Sequence, residues 1–161
     1  SEPIDFYCQN IYNGYQIKAV EDRYEWVANP VETPMTAIGW PITPKCLYWG
    51  PKFLFERYKN PIIISENGMA CNDTISLDGK VHDQSRIDFM QGYLKELGHV
   101  VDDGVEVTGY MYWSLMDNFE WSHGYSKRFG LVYVDYNNMR RIPKDSFYWY
   151  QETIRDNVNN L

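Results

Sequence analysis

Ile62-Ile63-Ile64-Ser65-Glu66-Asn67-Gly68 is a short apolar run that ends abruptly in a carboxylate, an amide and a glycine. A run of branched aliphatic residues behind Pro61 reads as a buried parallel strand, and a charged residue at its carboxyl end cannot lie in apolar surroundings. Glu66 is therefore expected to face a site. In barrels of alternating strands and helices the active site lies at the carboxyl ends of the strands. A glutamate there reads as catalytic, against the plainer possibility of an ion pair closing the strand.

Upstream of this strand, Ile4 through Tyr12 carries strand-like residues and Asn13-Gly14 supplies a turn signal, followed by a proline-rich loop. Thr43-Pro44 predicts an N-cap with proline at the first helical position. Leu47, Leu54, Phe55 and Tyr58 continue at roughly helical spacing, Gly50-Pro51 is expected to kink or restart the helix, and Asn60-Pro61 ends it. Downstream, a polar loop containing Leu77-Asp78-Gly79-Lys80 leads to Ile87, Met90, Leu94, Leu97 and Val101. These recur at intervals of three and four and predict an amphipathic helix, with Asp83 and Arg86 as its cap and an ion-pair partner. Asp102-Asp103-Gly104 stops that helix. Val107 to Leu115 is a second buried strand, Arg128 to Tyr136 a further strand or hairpin turning at Asn137-Asn138, and Asp145 to Asn157 a last helix with Phe147, Tyr150 and Ile154 on one side.

The order strand, helix, strand, helix, strand argues for an α/β fold with a parallel sheet and right-handed helical crossovers. Three strands cannot close a barrel and would leave two apolar edges open. The chain also opens on Ser1 and enters a strand within a few residues. The expectation is one segment, residues 1–161, forming the C-terminal piece of a larger barrel. It would be a fragment, a cleavage product, or a chain whose partner supplies the other strands.

Composition narrows the partners. A net charge of -7 with no basic cluster argues against nucleic acid and anionic membrane surfaces, and a neutral ligand fits better. Aromatic residues make up 17% of the 161, with 14 Tyr and 6 Trp; this suits either an aromatic core or a site that stacks on sugar faces. Cys8, Cys46 and Cys71 match neither a disulfide framework nor a zinc spacing, and they read as reduced, partly buried thiols. His82, His99 and His123 show no metal-ligand spacing, so no metal or other cofactor is expected. No apolar stretch reaches the roughly 20 residues a bilayer crossing needs, and the expected location is cytoplasmic. Asn72-Asp73-Thr74 fits a glycosylation sequon that matters only in a secreted protein.

With these residues placed, the chain resembles the retaining β-glucosidases of glycoside hydrolase family 1 over essentially its whole length. The resemblance rests on five segments in order: Asp5-Phe6 to Tyr12, Gly39-Trp40-Pro41-Ile42-Thr43-Pro44, Ile64-Ser65-Glu66-Asn67-Gly68, Tyr112 to Trp121 (YWSLMDNFEW), and Gly124 to Leu131 (GYSKRFGL). It implies that the chain covers the last three strand-helix units, strands six to eight, of a (β/α)8 TIM barrel. Ser65 stands where the family usually has Thr, a change that keeps the hydroxyl.

The resemblance also implies roles. Glu66 matches the nucleophile, Tyr12 a tyrosine that hydrogen-bonds it, and Asn10 a polar neighbour in the same site. Trp113 matches a ring stacked on the sugar, Glu120 and Trp121 residues that bind its outer hydroxyls, and Trp40 a wall of the aglycone side. A carboxylate such as Glu120 accepts from two adjacent hydroxyls, whereas the indole of Trp121 only donates. Similar enzymes acting on 6-phosphorylated sugars carry Ser at the Glu120 position, with Lys and Tyr at those of Lys127 and Phe129. Here Glu120 would repel a phosphate and Phe129 lacks the hydroxyl, which implies non-phosphorylated sugars. For the tryptophans and Tyr12 the plainer alternative is core packing, and for Glu120 a solvated loop charge.

The family's acid/base glutamate lies in an Asn-Glu-Pro motif on an earlier strand, and these 161 residues contain no such motif. The expectation is a β-glucosidase portion that binds the β-glucoside and carries the nucleophile, while the N-terminal part of the same barrel, in cis or as a second chain, supplies the acid/base. The alternative is a noncatalytic sugar-binding or orphan fragment.

Overall fold

The computed structural model describes residues 4–159. They divide into two compact units, one taking in the chain up to Asn67 together with Gly92–Met111, the other Gly68–Gln91 with the chain from Tyr112 onward.

In the first unit β1 (Tyr7–Asn10) pairs in parallel with β4 (Ile62–Asn67), and β5 (Val107–Tyr112) takes the other side of β4, giving the order β1-β4-β5. Ile62 and Ile64 are fully buried, as the aliphatic run predicts for a central strand. The segment read as a loop after β1 holds an antiparallel hairpin, β2 (Ile17–Val20) and β3 (Arg23–Trp26). Its residues are mostly exposed, so burial imposes no alternation of apolar and polar residues, and that alternation is the usual sign of a strand.

Helix α1 (Cys46–Tyr58) runs without a break through Pro51. The expected restart does not occur. Proline at this position removes one helical hydrogen bond, and the full burial of Leu47 and Pro51 on the packed face offsets that loss. Thr43 is not its cap: Lys45 holds that position without a side-chain bond, and the Thr43 hydroxyl instead accepts the amide of Gly14 at 2.8 Å. Lys59 closes the helix in the left-handed conformation, φ 59°, donating its amide to Phe55. Cys8 is exposed rather than partly buried, since it lies on the face of an edge strand that nothing described here covers.

Helix α2 (Gln84–Asp102) buries Phe89, Met90, Tyr93, Leu97 and Val100. Only Met90 and Leu97 belong to the predicted stripe, and Val101 is exposed. The two aromatic side chains turn the helix by about one residue. Tyr93 also has polar reasons to face inward: its hydroxyl accepts the amide of Thr43 at 2.9 Å and donates to the carbonyl of Tyr12 at 3.1 Å.

The second unit is built on the hairpin of β6 (Val132–Asp135) and β7 (Arg140–Pro143), followed by α3 (Asp145–Asn159). Its apolar core includes Met69, Val81, Leu131, Val134 and Ile142. Two glycines are required by close backbone approach. A Cβ on Gly68 would stand 1.8 Å from the carbonyl oxygen of Trp113, and one on Gly130 would stand 2.1 Å from the amide of Asp117.

Beneath these loops three cations and three carboxylates pack together, all of them shielded from solvent except Arg128, which is partly exposed. The Lys144 ammonium lies 2.5 Å from Asp73 and 2.9 Å from Asp117; Arg86 pairs with Asp73 at 2.7 Å and with Asp83; Arg128 reaches Asp117 at 2.5 Å. Asp83 does pair with Arg86, but its carboxylate caps the following helix rather than its own, accepting the amide and hydroxyl of Ser146. Burial raises the pKa of the Asp73 carboxyl, yet Arg86 and Lys144 outweigh it and hold the group below its ordinary value. Burial and then the Arg86 charge lower that of Lys144, against the pull of Asp73 and Asp117.

Removing one member strands the rest. Lys144→Met is expected to cost about 3–5 kcal/mol, because two buried carboxylates lose a counter-charge in a site water does not reach. Chemical denaturation of the assembled barrel measures it, and a loss under about 1 kcal/mol would show that water or rearrangement replaces the ammonium.

Candidate active site

The carboxyl end of β4 is assembled by its neighbour. Tyr7, Cys8 and Gln9 pair in register with Ile62, Ile63 and Ile64, and the register then shifts so that Asn10 stands opposite Glu66. The amide of Ile11 donates to the Glu66 carbonyl at 2.9 Å, which carries the chain past the strand end and lets Tyr12 turn back over it. The Tyr12 hydroxyl donates to Oε2 of Glu66 at 2.6 Å. A short bond from a neutral donor to a carboxylate fixes which way the carboxylate faces.

Ser65 donates its hydroxyl to Oδ1 of Asn10 at 2.8 Å. The Trp40 ring lies 5.1 Å from that of Tyr12 at 54°, beside the Glu66 phenol partner. Sequence reading missed Asn67. Fully buried, it donates its amide to the Ile11 carbonyl at 2.8 Å and accepts the Tyr110 hydroxyl at 2.8 Å, tying the ends of all three strands together. Its signal was present, an amide beside the glutamate at a strand end, where strand polar groups lose their ladder partners. Tyr12, Glu66, Asn10 and Trp40 thus converge.

The remaining predicted residues lie on the second unit. Trp113 follows β5 directly and is partly buried. Glu120 is 9% exposed, no solvated loop charge. It sits in a tight turn, its amide donating to the Gly124 carbonyl at 2.7 Å and its carbonyl accepting from His123 at 2.8 Å. Trp121 opens the single turn of 3-10 helix Trp121–His123 and is 83% exposed. Phe129 is 1% exposed, so its ring packs within the unit.

Asp117, three residues before Glu120, holds this loop from below. Its Oδ1 accepts the Gly130 amide at 3.0 Å and Lys144 at 2.9 Å, and its Oδ2 accepts Arg128 at 2.5 Å and the Val134 amide at 3.3 Å. The turn that presents Glu120 and Trp121 is therefore rooted in the buried ionic cluster.

Helix-flanked strands with an oriented carboxylate at the carboxyl end of the middle one fit part of a (β/α)8 barrel, and the chain superposes on family 1 β-glucosidases. The chain belongs to Glycosyl hydrolase family 1, whose model matches residues 3–159. It is 47% identical over 161 residues to a 1,4-beta-D-glucan glucohydrolase of Thermotoga neapolitana, covering 97% of this chain and 36% of that protein. It is 45% identical over 160 residues to Beta-glucosidase A of Thermotoga maritima, covering 97% and 35%. A solved family 1 β-glucosidase from Thermotoga maritima superposes with a TM-score of 0.88 at 44% identity, over 97% of this chain and 36% of that one, and a complex of a β-glucosidase from that organism with glucoimidazole superposes equally well at 46%. The chain spans about a third of the length of the curated relatives it matches.

Proposed function

We propose that this chain supplies strand-helix units six to eight of a retaining β-glucosidase that releases terminal non-reducing β-D-glucosyl residues from β-glucosides or cello-oligosaccharides. The observation that carries this reading is the Tyr12–Glu66 hydrogen bond at the carboxyl end of β4. Retention needs two carboxyl groups about 5–5.5 Å apart, one nucleophilic and one acid/base. Glu66 attacks the anomeric carbon and forms a glycosyl ester as the bond to the aglycone oxygen breaks, and Tyr12 keeps the attacking oxygen aimed. The acid/base protonates the departing oxygen and then takes a proton from the water that cleaves the ester. That second carboxyl group belongs to the rest of the barrel, in keeping with the absence of an Asn-Glu-Pro motif from the 161 residues.

Asn10 and Trp40 flank the nucleophile, Trp40 toward the aglycone. Trp113 stacks on the sugar, Glu120 accepts from two of its hydroxyls, and Trp121 donates to one. Phe129, packed behind the loop, stands where a phosphate-reading hydroxyl would be needed. In the assembled barrel a 2-deoxy-2-fluoro glucoside is expected to trap the ester on Glu66. Peptide mapping that places the label on another carboxylate removes the assignment.

Specificity gives a separate check. Glu120→Ser is expected to reduce kcat/KM for glucosides by roughly 2–4 kcal/mol, since two hydroxyl interactions that strengthen toward the transition state are lost. It should also admit 6-phosphoglucosides, with Lys127 nearby in sequence as a cation. Unchanged kcat/KM for glucosides would take Glu120 out of the sugar site.

A further inference from the structure

Strand β1 ends at Asn10, so the main chain that carries Tyr12 has left the ladder and its polar groups need other partners. Between Ile11 and Gly14 those partners come from β4, from α2 and from the segment ahead of α1. The Ile11 amide donates to the Glu66 carbonyl at 2.9 Å, and the Ile11 carbonyl accepts Nδ2 of Asn67 at 2.8 Å. The Tyr12 carbonyl accepts the Tyr93 hydroxyl at 3.1 Å, and the Gly14 amide donates to Oγ1 of Thr43 at 2.8 Å. Both peptide groups that flank the Tyr12 Cα are therefore gripped by a side chain, one by Asn67 and the other by Tyr93.

Each grip has a fixed sense. The Tyr93 hydroxyl accepts the Thr43 amide at 2.9 Å, which leaves its single proton for the Tyr12 carbonyl. Oδ1 of Asn67 accepts the Tyr110 hydroxyl at 2.8 Å, which turns Nδ2 toward Ile11. Tyr93 and Asn67 are both fully buried, and burial raises the pKa of the Tyr93 phenol, so it stays a neutral donor.

We infer that Tyr93 and Asn67 are positioning residues for the nucleophile: they clamp the backbone on either side of Tyr12 and so place the phenol that aims Glu66. This rests on the reading above, in which Glu66 attacks the anomeric carbon. At 0% exposure Tyr93 cannot touch a sugar, and its effect has to pass through the Tyr12 backbone. The Tyr12 hydroxyl lies at the far end of a rigid ring, so a tilt of that backbone is enlarged at the oxygen that bonds Oε2 of Glu66 at 2.6 Å. A displacement of about 1 Å among reacting groups can cost on the order of 10²-fold in rate, which makes even a fraction of that movement measurable.

The test is a double-mutant cycle in the assembled barrel with Tyr93→Phe and Tyr12→Phe, each of which removes a hydroxyl and keeps the ring. Tyr93→Phe is expected to lower kcat/KM for an aryl β-glucoside about tenfold. The loss should fall on kcat, with the inhibition constant of a glucose-like inhibitor within about twofold of the parent. In the Tyr12→Phe background the same change should alter kcat/KM by less than about twofold, because the oxygen that Tyr93 places is gone. The fall in unfolding temperature should be alike in both backgrounds, since the Thr43 amide and the Tyr12 carbonyl lose their partner in either. Equal losses of kcat/KM in the two backgrounds, as a merely structural role would give, or no loss in the parent, overturn the inference. With the fluoro-glucoside label still on Glu66, either result leaves the proposed function standing, whereas a label on another carboxylate removes the function and the inference together. Should Tyr93→Phe fail to fold, Asn67→Ala run through the same cycle reads the other peptide, and a loss of kcat/KM that persists without the Tyr12 hydroxyl overturns the clamp.

Discussion

Glu66→Ala in the assembled barrel is expected to reduce turnover of an aryl β-glucoside by on the order of 10⁴-fold or more, the scale on which losing a nucleophile acts. Affinity for a glucose-like inhibitor should change little, because Tyr12 and the loop proposed to bind the sugar stay in place. Alanine also opens the space that the carboxylate filled at the end of β4. Azide entering there should attack the anomeric carbon directly and give an α-glucosyl azide, with partial recovery of rate. A β-configured azide, or turnover within tenfold of the parent, would mean that Glu66 is not the attacking group.

The 161-residue chain by itself is expected to hydrolyse no β-glucoside above background and to associate. Without an acid/base the natural leaving group departs unprotonated, and positioned proton transfer alone contributes on the order of 10²–10⁴-fold. The loss should exceed that factor. The edge of β1 that is unpaired among the described residues, and the exposed Trp49, Phe53 and Trp26, are surfaces prone to associate. Assay of the purified single chain beside the reassembled barrel decides the matter. Turnover by a homogeneous monomer would show that the acid/base lies within these residues, whereas a reassembled barrel that binds glucose but turns nothing over would favour a sugar-binding role.

Much of this protein was legible residue by residue, for identifiable reasons. The aliphatic run at 62–64 has to be buried, so its end has to be a boundary, and the placement of Glu66 followed from those two facts. The helical spacing after Gln84 announced α2 but not which way it faces, because Phe89 and Tyr93 outweighed the aliphatic stripe. The hairpin at 17–26 went unread since its exposed strands carry no burial pattern. Gly50-Pro51 read as a kink or a restart and the helix does not restart there, since propensity is a local tendency and the packing of α1 is not local.

By itself the sequence determined the alternation of strands and helices, the carboxylate at a strand end, the family resemblance and the want of an Asn-Glu-Pro motif. All of these depend on neighbours along the chain. The tertiary structure shows the Tyr12–Glu66 bond that the resemblance implied, and it alone decided that Asn67 ties three strand ends, that Asp117 and Lys144 root the Glu120 loop in a buried ionic cluster, and that Gln9 is enclosed with no partner among the described residues. Those contacts join residues up to 71 positions apart. Their existence depends on a one-residue register shift and on backbone approaches closer than a side chain allows at Gly68 and Gly130. Neither leaves a periodic trace in the sequence, because hydrophobic periodicity records which face of an element is buried and says nothing of which distant group it will meet there.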